Sequence, residues 1–275
     1  MNFLLITNSK SVAAYISRED SVSPMIDLEQ LGKAERQGHL DAWTSSHSRE
    51  DVPKLRDAIG ASSRLVVRVN PMNPASKDEI DYVINNGADC VMLPMFRTSG
   101  EVRKFVELLD GRVVPLFLCE TKESLRLIPE IIDLDSKKEV HFGLNDLHLD
   151  LGNRFLFEPL ANGMLDEPAR LLSKADIPFG IGGVARIGEG QVTPESIMVE
   201  HARLGSTRAI LSRTFHRNAR TVDQLKDTMD FSLEVERLKE VYRGAKLLSA
   251  EQLEQKRLVF IESVERARFT LDTGR

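Results

Sequence analysis

The sequence predicts a (β/α)8 barrel extended at its C-terminus by extra helices. Three observations predict it. Eight short apolar runs alternate with amphipathic stretches between residues 3 and 215. Several runs are rich in Val, Ile and Leu without polar alternation, as strands covered on both faces are. The first run is followed by Thr7-Asn8-Ser9-Lys10. A doubly wound sheet, the structural alternative, often has a Gly-rich phosphate loop there.

The strands are expected at residues 3–7, 24–28, 64–69, 90–93, 113–118, 139–143, 178–181 and 208–211. Each is too short for a helix and is bounded by turn formers. Helical periodicity fills residues 79–86, 99–109, 122–132, 166–174 and 194–204. Residues 29–56 form a long, charged, His-containing connection, and such loops are usually functional or partly helical. Residues 1–220 are therefore assigned to a catalytic barrel and 221–275 to a helical extension. The tail reads as two helices broken near Gly244. One carries a stripe of Leu225, Met229, Leu233, Leu238 and Val241, the other a stripe of Leu253, Leu258, Ile261 and Val264. These stripes need a partner surface, on the barrel or on a neighbouring subunit.

Composition narrows the functions. The chain has 275 residues, 41% hydrophobic and 29% charged, which suits a folded globule. Its net charge of −5 argues against nucleic-acid binding, which needs a basic face. No apolar run approaches the ~20 residues that span a membrane. The start lacks the basic and small-residue features of a signal peptide, and the two cysteines, Cys90 and Cys119, read as buried free thiols. A cytoplasmic location is expected.

Two strands end in a carboxylate, Glu120 and Asp146. Side by side and parallel, they would emerge at one rim, where barrel chemistry occurs. Two carboxylates there suit Mg²⁺ or Mn²⁺, with ligand positions left for water and substrate. The plain alternative makes each a helix N-cap, which Asp146 suits better than Glu120. Arg68 closes another strand; it could bind a substrate carboxylate bidentately or form an internal ion pair, for instance with Glu29. Asp27 and Glu29 alternate onto one side of their strand and could hold Arg68 or orient water. Gly143, Leu144 and Asn145 offer consecutive backbone N–H groups before Asp146. Glycines 182, 183, 188 and 190 let backbone approach a ligand, and Arg186 or Arg213 could meet a distal anionic group or be solvated surface. His39 and His47 on the long connection could serve as acid/base groups or be structural. No Ser/His/Asp set is visible, and no predicted strand holds a Lys for a Schiff base.

These motifs resemble those of the metal-dependent 2-oxo-acid aldolases and the citrate lyase β-subunit family, over roughly residues 3–215. The resemblance rests on Asp27-Leu28-Glu29, Arg68-Val69-Asn70-Pro71, Gly87-Ala88-Asp89 with Met92-Leu93-Pro94, Glu120-Thr121, and Gly143-Leu144-Asn145-Asp146-Leu147 with Asp150-Leu151-Gly152. It implies that Glu120 and Asp146 hold Mg²⁺ or a similar ion. It implies that Arg68 binds a substrate carboxylate or oxo group, and that backbone amides at Leu144, Asn145 and Asp146 assist. It also implies a trimer or hexamer with tail helices between subunits.

The chain departs from both branches of the family. The aldolases often have a His after the Glu of the second strand, where this chain has Gln30. The citrate lyase branch continues Asp-Leu-Glu with Asp-Ala-Val, and this chain has Gln30-Leu31-Gly32. The expected activity is a metal-dependent carbon–carbon lyase of class II aldolase type, acting through a pyruvate enolate. Its substrate is a 2-oxo acid with an aldehyde or sugar-like partner. Arg68, Glu29 and His47 are the expected catalytic residues, and Arg186 would meet the substrate. An acyl-CoA lyase or thioesterase is the alternative enzyme, and a non-catalytic barrel subunit the alternative outside catalysis.

Overall fold

The computed structural model describes residues 1–32, 47–61 and 63–273. Eight parallel strands close a barrel in chain order, β8 pairing back onto β1. They are β1 (Asn2–Ile6), β2 (Val22–Asp27), β3 (Val66–Arg68), β4 (Cys90–Leu93), β5 (Val114–Cys119), β6 (Glu139–Phe142), β7 (Phe179–Val184) and β8 (Arg208–Leu211). The barrel predicted from the sequence is the barrel observed. The seventh strand runs longer than expected, because a register irregularity between Gly180 and Gly183 carries it past the glycines.

Helices follow the strands on the outside: α1 (Lys10–Ile16), α2 (Asp51–Ile59), α3 (Ser76–Asn85), α4 (Ser99–Leu109), α5 (Lys122–Arg126), α6 (Ile128–Ile132), α7 (Leu144–Asp150), α8 (Glu158–Ala161), α9 (Asp166–Lys174), α10 (Pro194–Leu204), α11 (Arg213–His216), α12 (Val222–Thr228), α13 (Phe231–Ala245) and α14 (Ala250–Thr273). Local chemistry sets their starts. Thr98 caps α4 in a capping box with Glu101, and Thr121 caps α5 in one with Ser124.

The two-residue period of the strands separates two cores. Outward side chains such as Val67, Val91, Phe117, Val140 and Phe142 pack against the helices. The other set, Leu4, Met25, Val66, Cys90, Met92, Leu116 and Leu118, plugs the barrel. Above the plug the inward positions turn polar, with Asp27 and Arg68 on the adjacent β2 and β3 and His141 on β6; Asp27 pairs in register with Arg68 and Leu118 with His141.

The tail holds three helices, not the expected two. Met229 adopts an extended backbone, and Asp230 restarts the chain by capping α13 through the Leu233 N–H. The predicted stripes are partly wrong as well. Leu233 and Leu258 are about half exposed, whereas Phe231, Val235, Tyr242, Phe260 and Ala267 are buried. On α13 the cause is the new break at Asp230, which starts a helix with Phe231 on its inner face. Both α13 and α14 pack on α10, and the Tyr242 hydroxyl donates to the Ser206 carbonyl at 2.9 Å. Among the described residues no helix is long and apolar enough to cross a membrane.

Candidate active site

A cavity of about 550 Å3 opens at the C-terminal ends of the strands, and Asp27, His47, Arg68, Glu120, His141 and Asp146 line part of it. This is the end of the barrel where loops and strand termini converge on ligands.

Glu120 directly follows β5 and is 2% exposed. It is not a helix cap; Thr121 takes that role for α5. Its Oε1 accepts the Met95 N–H at 3.0 Å. Met95 has φ 53°, a left-handed conformation rarely taken by a long side chain, and that turn presents its amide to the carboxylate. A Cβ on Gly143 would lie 2.8 Å from Glu120 Oε2 and 2.9 Å from Glu120 Cβ. Glycine is therefore required there for the end of β6 to pass so close to Glu120. Asp146, 6% exposed, is the third residue of α7, and Gly143 is the N-cap. Neither carboxylate is used up as a helix cap.

Burial pushes the Glu120 carboxyl well above the usual carboxylate range, and the charges of Asp146 and Glu29 push it further; Arg68 and the Met95 amide oppose this only in part. Such a carboxyl calls for a proton or a cation beside it. The donor set is all oxygen, which fits a hard divalent ion. Among the described residues no group of three His, Cys, Asp or Glu could hold a metal alone. Glu120 and Asp146 would supply two ligands, leaving the rest to water and substrate, as Mg²⁺ accepts readily.

Arg68 is clamped. Its Nε and Nη2 donate to the two oxygens of Asp27, both at 2.8 Å, and Nη2 lies 3.3 Å from Glu29. Burial alone would lower the Arg68 pKa, but the charges of Asp27 and Glu29 outweigh it and hold the guanidinium charged. Nη1 makes no hydrogen bond to any described residue, so that amino group is left for a ligand. Glu29 is 1% exposed and does not line the cavity; it reaches the site through Arg68. Asn70 holds this edge in place, its Oδ1 accepting the N–H groups of Gln30 at 2.9 Å and Leu31 at 3.0 Å.

His47 lines the cavity, and its Nδ1 accepts the Asp27 N–H at 3.0 Å. That bond fixes the neutral tautomer, with the proton on Nε2. In this arrangement the Nδ1 lone pair of His47 is engaged by the backbone. The other loop histidine, His39, lies outside the described residues.

The remaining expected residues divide. Leu144 and Asn145 line the cavity beside Asp146, at an α7 N-terminus that no side chain caps. Arg186 does not line it. It is 6% exposed, donates to the Thr228 carbonyl at 3.0 Å and lies 3.3 Å from Glu189. The start of the tail covers it, which nothing in the local sequence signals. Conversely, sequence reasoning passed over His141 as a strand residue. It forms part of the cavity floor, bonded through Nε2 to the Gly182 carbonyl at 3.1 Å. Burial lowers its pKa to about 4, so it is neutral at pH 7. A Cβ on Gly180 would lie 2.3 Å from its Nδ1, so glycine makes room for the ring. The glycine run of β7 was the available signal.

Comparison with known proteins bears on the family and the fold. The sequence pattern of the HpcH/HpaI aldolase/citrate lyase family matches residues 13–155. No curated protein sequence matches the chain. The fold is similar to a Burkholderia cenocepacia J2315 protein of that family, with 14% identity, 87% of this chain and 94% of that one covered, and a TM-score of 0.59. It is similar to the HpcH/HpaI aldolase of Desulfitobacterium hafniense DCB-2, with 12% identity, 90% and 94% covered, and a TM-score of 0.57. It is also similar to the M. tuberculosis citrate lyase β subunit complexed with oxaloacetate and magnesium, with 16% identity, 90% and 96% covered, and a TM-score of 0.56.

Proposed function

The chain belongs to the HpcH/HpaI aldolase/citrate lyase family, and on that premise we propose that it is a divalent-metal-dependent carbon–carbon lyase that makes or breaks a 2-oxo acid through a pyruvate enolate. The observation that carries this reading is geometric. Two buried carboxylates, Glu120 and Asp146, neither of them a helix cap, line one cavity with a clamped arginine.

Glu120 and Asp146 would hold Mg²⁺ or Mn²⁺. When bound, the ion would supply Lewis-acid stabilisation of the negative charge that builds on a 2-oxo group as the adjacent C–C bond breaks or forms. Arg68 adds a permanent positive charge, and its Nη1 is the amino group available to the substrate. Asp27 and Glu29 act through Arg68 by fixing its plane. The amides of Leu144, Asn145 and Asp146 offer donors to the substrate carboxylate. His47, held by the Asp27 N–H, would orient the substrate from the cavity wall. In cleavage the proton of the aldol hydroxyl would leave through a water oriented by Asp27, the carboxylate of that pair that lines the cavity, and a proton would return by the same water to the enolate carbon to release pyruvate. The same reading takes residues 1–220 as the catalytic barrel and 221–275 as an extension. It makes the enzyme a cytoplasmic trimer or hexamer.

Deuterium exchange into the methyl group of pyruvate, followed by NMR, tests the chemistry. Exchange is expected with Mg²⁺ or Mn²⁺, and it should stop with EDTA and in Glu120→Ala. No exchange by a folded, metal-loaded protein would overturn the reading. Turnover of an acyl-CoA by that same protein would move it to the acyl-CoA lyase or thioesterase branch.

A further inference from the structure

The mouth of the barrel has a second wall that the chemistry above does not use. It is built from the end of β8, helix α11 and the chain running on to Arg220. Arg213, His216 and Arg220 line it, with the hydroxyls of Ser9, Ser212 and Thr214 close by. It contrasts with the carboxylates at the ends of β2, β5 and β6.

Three observations give this wall a function. Arg213 is exposed and forms no ion pair with any described residue, yet it faces the cavity rather than the outer surface alone. His216 is 7% exposed, and its Nε2 has no hydrogen-bond partner among the described residues. Burying a ring nitrogen without a partner is costly, and such a group is normally satisfied by something. The cavity, at about 550 Å3, is far larger than a three-carbon oxo acid needs. Two further features agree. Burial, aided by the charge of Arg213, lowers the His216 pKa to about 4, so the ring is a neutral hydrogen-bond partner at pH 7. Arg217 and Asn218 follow with φ of 47° and 54°, successive left-handed residues that hold His216 in a strained turn.

We propose that this wall is a subsite for a second, anionic group of the substrate, a phosphomonoester or a carboxylate on the aldehyde portion, with Arg213 as its charge partner and His216 as a hydrogen-bond partner. The subsite rests on the enolate reading for its place in a reaction: the oxo-acid head sits at Glu120 and Asp146, and the anionic end lies across the mouth. It selects an aldehyde that carries negative charge over a neutral one. A carboxylate-lined head and a basic tail wall also fix which way round the substrate enters.

Calorimetric titration of the full chain with inorganic phosphate, and separately with acetate, tests this. EDTA is included so that no metal offers the anion another position. Saturable binding of one of the two is expected. Tighter phosphate identifies a phosphomonoester, and tighter acetate a second carboxylate. Arg213→Gln should weaken that binding by about tenfold or more, and Arg213→Lys should recover part of it. His216→Asn is the second variant, with a smaller loss expected. Failure of both anions to saturate, or unchanged binding in Arg213→Gln, would overturn the subsite. The titration needs no turnover, so the two readings fail separately. Pyruvate exchange without anion binding removes only the subsite, and anion binding without exchange removes only the enolate chemistry.

Discussion

At the N-terminal end of the barrel, Glu139 lies between two arginines. It is 2.9 Å from Arg64 and paired with Arg208. At the C-terminal end, Asp27 and Glu29 pair with the Arg68 guanidinium, Glu120 and Asp146 line the same cavity, and all four carboxylates are buried. An apolar plug from Leu4 to Leu118 separates the two ends. The first cluster alternates sign and completes itself within the protein, as a structural ion pair does. The second sets like charges together, and the Glu120 carboxyl is driven well above its ordinary range by burial, Asp146 and Glu29. Burying like charges is unfavourable for folding, and here the cost falls on the Glu120 carboxyl. The same residue types thus form an alternating-sign ion pair at one end and a cluster of like charges at the other.

Removing a charge from each end should break the comparison most sharply. Glu120→Gln is nearly isosteric and removes a carboxylate that burial disfavours. Pyruvate exchange should fall by about a thousandfold, the scale for losing a principal electrostatic group in a site. The melting temperature in EDTA should hold or rise. A variant that keeps exchange, or that melts far below the parent, would make the mouth as structural as the base. Glu139→Gln should do the opposite. It leaves two partly buried guanidiniums facing each other, at a cost of about 3 kcal/mol, the low end for breaking a buried pair. Denaturant unfolding should show that loss with little change in metal-dependent exchange.

Arg68→Lys probes the clamp within the C-terminal end. Lysine keeps the charge but cannot make the paired bonds from Nε and Nη2 to Asp27. Exchange should fall by about tenfold to a hundredfold, mostly in kcat, because a group that acts at the transition state is displaced. An unchanged rate would mean that the charge matters and the orientation does not.

How far these features were legible depended on whether they were local. The strands at 90–93 and 208–211 match Cys90–Leu93 and Arg208–Leu211 because a short apolar run between turns leaves little alternative. Glu120 and Asp146 stood out as carboxylates closing such runs, which is a local signal. The clamp on Arg68 could be anticipated because Asp27 and Glu29 alternate on one strand. What was missed depended on distant parts of the chain. Arg186 meets Thr228 from the tail, 42 positions away in sequence. The left-handed turn at Met95 has no residue signature, because methionine does not favour it. His47, an acid/base candidate by residue type, does line the cavity, and its bond from the Asp27 N–H shows which ring nitrogen is engaged, a detail no sequence pattern carries. The tail break at Asp230 was locally visible as an N-cap before Phe231, but the Leu-rich stripe running through it masked the signal.

The smallest effect separates both ends from the rest of the core. His201 on α10 belongs to neither cluster; it is fully buried, with Nδ1 bonded to the Ser206 hydroxyl at 2.9 Å. Burial, with a contribution from His141, lowers its pKa to about 3. The unfolded chain binds a proton near pH 6.5, and the native state does so only far below that. Its stabilising contribution is therefore complete above pH 6.5 and is lost as pH falls towards 3, with a slope of at most about 1.4 kcal/mol per pH unit. His141 and His216, lowered to about 4 by burial, act in the same direction over an overlapping window. Paired carboxylates such as Asp150 and Asp166, whose values lie below the ordinary range, begin to lose stability only at lower pH. Between pH 6.5 and 4.5 the decline should therefore belong to the histidines. Urea unfolding across that interval should show a shallower decline in His201→Gln than in the parent protein, by up to one proton's worth of slope. Equal slopes would move the acid sensitivity away from the core and back to the charged ends of the barrel.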